Sequence, residues 1–336
     1  MTLLPEHELQ ARRLIAQGLA GSNARPALKN PVHVIRHLLA LQGQTYKAGI
    51  RAIALRVENG EASGQDIEAT DALVHEAVAN HEIVRAWPMR GTLHFLDAQD
   101  ARWLMHLCSP RIEAAAAKRR HGLGFVEGDF ERAREALYAH LLNLKTGEVL
   151  ERRDAYRVFE DAGVSTADGR GPHLLRAFGG LGDMVQGSLA GYRETFQHID
   201  RLRVNQRHLP AGQALAELGT RYVNGHGPVT VSDLAWWSGL TKRESTTALK
   251  SAENCVPMVI GDVEYFAPSW QLNITAEELE QALERTFYLP AFDEYLLGYS
   301  DKSFTMASEI RHEVLTMNGI SWNFTVKNGT VIGRTA

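Results

Sequence analysis

Apolar positions recur every three to four residues through most of this chain. Each series ends at a glycine, a proline or a capping residue. The spacing predicts helices over residues 6–20, 69–80, 98–120, 129–144, 150–162, 171–178, 211–224, 229–239, 241–253 and 275–285. Gly163 and Gly239 read as helix stops. Ser63 with Asp66, and Thr241 with Glu244, fit capping boxes. Between the helices, β-branched and aromatic residues bounded by turn residues predict four hairpins. The first is a ribbon over 81–96, where Pro88 and Gly91 mark an irregular connection. The others cover 184–192, then 256–267 turning at Gly261-Asp262, then 320–332 turning at Asn328-Gly329.

The order helix, helix, capped helix, hairpin is that of a winged helix-turn-helix. It is clearest over 211–267, and the same pattern recurs upstream at comparable intervals, which predicts tandem winged helices. The expected fold class is therefore mainly α with β wings (α+β). Trp236 and Trp237 are adjacent on a short helix, so at least one belongs to the core.

One stretch breaks the apolar pattern in an informative place. Residues 30–57 open with Asn30 as a helix cap and Pro31 at the first helical position. Ile35, Leu38 and Leu39 form an apolar stripe, and Ile50, Ile53, Ala54 and Val57 form a second. Between them stand Gln42, Gly43 and Gln44. Side chains two apart in an extended segment point the same way, so two neutral amides can converge on one target. A polar helix end with a glycine stop is the plainer reading.

Composition sets the outer limits. Thirty-six basic and forty acidic residues among 336 give a net charge of −4, which argues against wholesale nonspecific nucleic-acid binding but not against a local basic groove. The length suits two or three domains. No apolar run is long enough to cross a membrane, and the first residues lack the apolar core of a signal peptide. Cys108 and Cys255 are isolated, so a reducing cytoplasm is expected.

Basic residues cluster in three places. Lys242 and Arg243 begin the third helix of the clearest repeat, the position from which a winged helix reads DNA. Arg201, Arg203 and Arg207 precede that repeat, and Arg111, Lys118, Arg119 and Arg120 lie within or just after 98–120. Each cluster is either a set of phosphate contacts or an ordinary solvated face. Metal chemistry has little support. Among fourteen histidines, His75-Glu76 and His81-Glu82 lack HExxH spacing, and His33 and His37 lack a third ligand. No phosphate loop or dinucleotide motif is present, and Ser188 and Ser308 lack a nucleophile-elbow context. Asp293 and Glu294 are adjacent and face different ways, so they do not form an acid/base pair. No metal and no cofactor is expected.

Three segments, LALQGQTYKAGIRAIALR (39–56), RGTLHFLDAQDARWL (90–104) and LPAFDEYLLGY (289–299), together resemble the AlkZ-type winged-helix DNA glycosylases. The resemblance covers nearly the whole chain in order. It implies three tandem winged helices around a concave DNA channel and a small C-terminal β-barrel-like region. With the repeat pattern it divides the chain into 1–97, 98–200 and 201–270 as winged helices and 271–336 as a C-terminal helix and barrel-like part. It implies a monofunctional enzyme that removes alkylated bases, notably N7-alkylguanines, with some members unhooking interstrand crosslinks. The expected partner is double-stranded DNA carrying such lesions, and the expected state is a monomer. The family's Gln-φ-Gln motif falls on Gln42, Gly43 and Gln44, which makes Gln42 and Gln44 the expected catalytic pair. Arg90, Thr92 and His94 are expected to face the same channel, with Lys118, Arg119, Arg201, Arg203, Lys242 and Arg243 as further DNA contacts. Asp293, Glu294 and Tyr295 are expected to brace the catalytic segment. Two departures stand out: the middle motif residue is glycine rather than apolar, and the family's barrel strands continue beyond the position of Arg334. A noncatalytic winged-helix DNA-binding protein or regulator is the alternative reading.

Overall fold

The computed structural model describes residues 3–58, 67–145, 147–316 and 319–335. The capping box expected at 63–66 lies outside them. The chain begins with α1 (Pro5–Ala16), which carries proline at its first turn and buries Leu9, Leu14 and Ile15. α2 (Pro31–Leu38) starts as its sequence dictates: the Asn30 side chain accepts from His33 N at 2.9 Å. β1 (Ala40–Gln42) and α3 (Tyr46–Ala54) follow, then α4 (Ile67–Ala79). Arg51 of α3 holds Asp71 of α4 with a bidentate ion pair at 2.6–3.1 Å.

Next comes a sheet with its covering helices. β2 (Ile83–Met89) and β3 (Thr92–Asp97) form the expected ribbon, closed by Arg90 and Gly91, both at positive φ. The pairing register shifts between Ala86 and Met89, where Pro88 has no N–H to offer a partner strand. The single helix expected over 98–120 is two: α5 (Ala101–Cys108) and α6 (Pro110–Ala117). The division falls at Pro110, which lacks the N–H that would have continued α5. α7 (Asp129–Asn143) and β4 (Leu150–Glu151) precede α8 (Arg152–Asp161) and α9 (Arg170–Gly180). β5 (Met184–Gln186) pairs with β6 (Thr195–His198) rather than with 189–192, so the hairpin expected over 184–192 has a longer connection. These strands run β3-β2-β5-β6-β4. Leu137, Phe159, Phe178 and Phe196 fill the core beside them.

The last part contains α10 (Ala211–His226), α11 (Val231–Ser238), α12 (Lys242–Lys250) and the hairpin β7 (Cys255–Ile260) with β8 (Val263–Pro268). The Thr241/Glu244 capping box is formed, and Gly261-Asp262 is the two-residue turn. Trp237 is fully buried, while Trp236 is 38% exposed. α13 (Ala276–Glu284), β9 (Thr286–Leu289), α14 (Glu294–Leu297) and α15 (Arg311–Val314) lead to β10 (Phe324–Lys327) and β11 (Thr330–Arg334). Asn328 and Gly329 both have positive φ, the conformation an Asn-Gly hairpin turn requires. β11-β10-β9 make a three-stranded antiparallel sheet where the barrel-like region is expected. The fold is thus mixed, mostly helical, with small antiparallel sheets. Packing divides it into two units. One combines the residues up to His75 with those from Pro210 onward, and the other is Glu76–Leu209. The first unit is therefore built from both ends of the chain. Among the described residues no helix is long and apolar enough to cross a membrane.

Candidate active site

In the first unit, α2 ends abruptly. Leu39 has φ 67° and ψ −49°, a backbone conformation that a leucine adopts only under constraint. The chain there turns straight from helix into β1, and Gln42 is the last residue of that strand. Gln42 is 7% exposed, whereas Gln44, in the bend before α3, is exposed. The amides thus sit at the junction of two helices, one mostly within the protein wall and one open to solvent.

What lies behind β1 is polar and fully buried. α14 packs against β1, and Asp293 caps α14 by accepting from Tyr295 N at 2.9 Å. The Asp293 carboxylate also receives Arg56 Nη1 and Nη2 at 2.9 and 2.8 Å, with both side chains at 0% exposure. Arg56 directs its remaining donors to Gln17 O, Gln17 Oε1 and Ala52 O at 3.0, 3.0 and 2.8 Å. All five guanidinium N–H groups are therefore matched. The neighbouring Glu294 accepts from Trp237 Nε1, and its Oε1 lies 3.3 Å from His226 Nε2. Tyr295 donates to Gly329 O at 2.7 Å. Arg13 lies over both the Tyr299 and Phe304 rings, 3.8 and 4.2 Å from their centroids, where the two rings meet edge to face, and it reaches Asp233 at 3.4 Å. His37, on α2, stands 2.6 Å from Ala16 O through Nε2, and burial pushes its pKa down to about 3. The ring is therefore neutral near pH 7, with Nε2–H donating. It is a structural hydrogen bond, and among the described residues no group of metal-binding side chains gathers around it.

In the second unit the ribbon tip organises Arg90, Thr92 and His94 together. His94 is fully buried. Its Nδ1 lies 3.0 Å from Thr92 O, which makes Nδ1 the donor and leaves Nε2 facing Arg90 Nη2 at 3.5 Å. His94 thus supports the arginine from behind, and the partly exposed Arg90 is the group at the surface. A Cβ on Gly91 would lie 3.5 Å from Ile112 and 3.8 Å from Arg176, so the turn rests against α6 and α9. Further cations collect there. Arg120 stacks 3.5 Å over the Phe130 ring, and Arg176 pairs with Glu113. Burial first, then Arg176, Arg120 and Arg119, press His173 down to about 4. Lys118 and Arg119 are exposed at the end of α6.

The other basic residues are placed elsewhere. Lys242 and Arg243 are exposed on the first turn of α12 in the first unit. Thr246 and Thr247 turn their hydroxyls back onto Lys242 O and Arg243 O at 2.7 and 3.1 Å. Arg201 Nη1 donates to Leu142 O at 2.8 Å, and Arg203 is exposed near His81. Sequence reasoning missed Leu39, the role of Arg56, and the grouping of Arg120 with Arg176. Only Arg56 left a local signal, a cation inside an otherwise apolar helical stripe.

The sequence matches a family described as DNA glycosylase AlkZ-like over residues 35–336. Among solved structures, the chain is similar to the DNA glycosylase AlkZ of Streptomyces sahachiroi, with a TM-score of 0.75 and 20% identity. That alignment covers 98% of this chain and 87% of the other. No curated protein sequence matches it. A match over nearly the whole chain, carried by a fold that agrees with it, shows that this protein belongs to the AlkZ-like DNA glycosylase family.

Proposed function

We propose that this DNA glycosylase hydrolyses the N-glycosidic bond of N7-alkylguanine-type bases, with Gln42 and Gln44 as its catalytic groups. The observation that carries the reading is a pair of uncharged amides at the α2–α3 junction, one held in the wall and one open to solvent. A carboxamide both donates and accepts hydrogen bonds but does not titrate near neutrality, so it cannot serve as a strong base. It can hold a water by its carbonyl oxygen and place that dipole against positive charge growing on the sugar. Such modest help suffices when the leaving group is already activated. An N7-alkylated guanine is a cation. As the C1′–N9 bond breaks, its electron pair neutralises the ring, and no protonation of the base is needed. Water adds to C1′ and its proton passes to solvent. Uracil and undamaged purines lack that activation and are not substrates in this scheme. A guanine crosslinked through N7 is equally cationic, so crosslink unhooking extends the same chemistry.

Duplex DNA is the partner in this reading. Arg90, steadied by His94, meets a phosphate, with Thr92 beside it and Lys118 and Arg119 continuing the contact. Lys242 and Arg243 serve the same purpose from α12. Two cations at the positive end of a helix dipole oppose it, and a bound phosphate relieves the opposition. The winged-helix reading of α10 to β8 rests on its element order. The test is release of 7-methylguanine from methylated duplex DNA by wild type, Gln42→Ala and Gln44→Ala. Loss of one positioned group lowers the single-turnover rate by about 10²–10⁴-fold. Equal release by all three proteins refutes the assignment. A crosslinked duplex run on a denaturing gel tests unhooking separately.

A further inference from the structure

The second unit contains a cavity of about 370 Å³. It lies by His81, before the start of β2, whereas the Arg90–Gly91 turn follows the end of that strand. Seven extended residues separate the two places by about 20 Å, so the cavity is not part of the ribbon tip. Its volume falls in the range of roughly 300–1,000 Å³ typical of small-molecule sites.

The walls differ in chemistry. Val78, Leu141, Leu144 and Leu189 supply an apolar side. Lys145, Arg201 and Arg203 supply three positive charges against a single lining carboxylate, Glu148. Arg201 is fixed by its bond to Leu142 O at 2.8 Å, which holds its guanidinium in place before any ligand arrives. Among the described residues neither Lys145 nor Arg203 has a side-chain ion pair. Two groups point to something more than a bare anion. His81 Nδ1 is buried without a hydrogen-bond partner among the described residues, a state that a native interior rarely leaves unfilled. Gln197 adds an amide that both donates and accepts, next to Thr195, whose hydroxyl donates to Ser188 O at 2.7 Å. Burial and the charge of Arg203 both lower the His81 pKa, which keeps its ring neutral and free to hydrogen-bond in either sense.

We infer that this cavity binds a nucleotide, with its phosphate on Arg201, Arg203 and Lys145, its ring against the leucine wall, and its base edge on Gln197 and His81. Three cations suit a phosphate dianion better than a carboxylate, and the amide suits a heterocycle carrying both donors and acceptors. The phosphate has two sources of the same chemistry: a free mononucleotide, or the 5′-phosphorylated end of a DNA strand. This goes beyond the glycosylase assignment and involves neither Gln42 nor Gln44.

The test is isothermal titration of the full chain with dGMP, deoxyguanosine, inorganic phosphate, and a single-stranded octamer with and without a 5′-phosphate. The expected result is binding of dGMP or of the phosphorylated octamer, with the unphosphorylated counterpart about ten-fold weaker or more. That factor is what one charge-assisted hydrogen bond contributes. Arg203→Gln, at an exposed position, lowers the affinity by a similar factor without altering the thermal transition. Binding of dGMP identifies a free-nucleotide site, and binding of the phosphorylated octamer alone identifies a strand-end site. Equal binding with and without phosphate, binding of inorganic phosphate only, no binding at millimolar ligand, or unchanged affinity in Arg203→Gln overturns the inference. No step of this measurement involves base release, so it stands or falls apart from the glutamine chemistry.

Discussion

Replacing Asp293 with alanine tests whether the polar cluster behind β1 holds the fold in the manner described. The substitution removes three hydrogen bonds at 2.8–2.9 Å, two from Arg56 and one from the first turn of α14. It also leaves the Arg56 guanidinium without its counter-charge at 0% side-chain exposure. Breaking a buried pair from one side typically costs about 3–5 kcal/mol, because the remaining charge stays desolvated. Loss of the helix cap adds about 1 kcal/mol. The sum is a large part of the roughly 5–15 kcal/mol that stabilises a typical domain. Equilibrium urea unfolding followed by circular dichroism measures it, with Arg56→Met/Asp293→Leu as the comparison. The double variant removes both charges and is expected to recover much of the loss, since a buried pair is often replaceable by packed apolar residues. If Asp293→Ala lowers stability by less than about 1 kcal/mol, the ion pair is not isolated from water and does not hold the fold. If the double variant is no better than the single, the cost lies in packing and not in stranded charge.

Other outcomes follow from particular contacts. Gly225 on α10 has room for no side chain: a Cβ would sit 2.7 Å from His37 O and 2.9 Å from Leu38 Cα, next to the constrained Leu39. Gly225→Ala is expected to destabilise by about 1–3 kcal/mol and to shift the amide segment, read as a lower base-release rate at substrate saturation; wild-type stability and rate count against it. Arg90→Ala is expected to weaken duplex binding and to reduce the slope of log affinity against log salt by about 1, and an unchanged slope removes Arg90 from the phosphate contacts. His37 is depressed from 6.5 to about 3. The unfolded chain therefore takes up its proton first as pH falls, and the folded state loses stability progressively from about pH 6.5 downward. His37→Gln should flatten that decline, measured as midpoint denaturant concentration between pH 4 and 7, and an equally steep decline places the titration elsewhere.

Short-range signals were the ones readable without coordinates. The Asn30 cap, the Thr241/Glu244 box and the Asn328-Gly329 and Gly261-Asp262 turns each involve partners within three or four residues. Their hydrogen bonds and backbone angles are fixed by residue type alone, so residue type reveals them. Pro110 carried a signal of the same kind that the expected single helix over 98–120 passed over: the division there follows from proline's missing donor. The family, too, was legible, because its three segments lie in order along the chain.

Long-range placement was not readable from residue type; the expectation that Asp293 braces the catalytic segment came from the family resemblance alone. Arg56 and Asp293 are separated by 237 positions, and nothing local announces that they meet. The same is true of the return strand of the β5 hairpin, whose place is set by pairing across the sheet and not by its own residues. Basic residues looked alike as clusters in sequence. The tertiary structure distinguished them: Arg90 at a ribbon tip backed by His94, Arg201 pinned beside a cavity, Lys242 and Arg243 on an exposed helix start. Charge in sequence states what a side chain can attract. Only the folded chain decides which neighbours have already satisfied it and which surface it serves, because desolvation and proximity are properties of three dimensions.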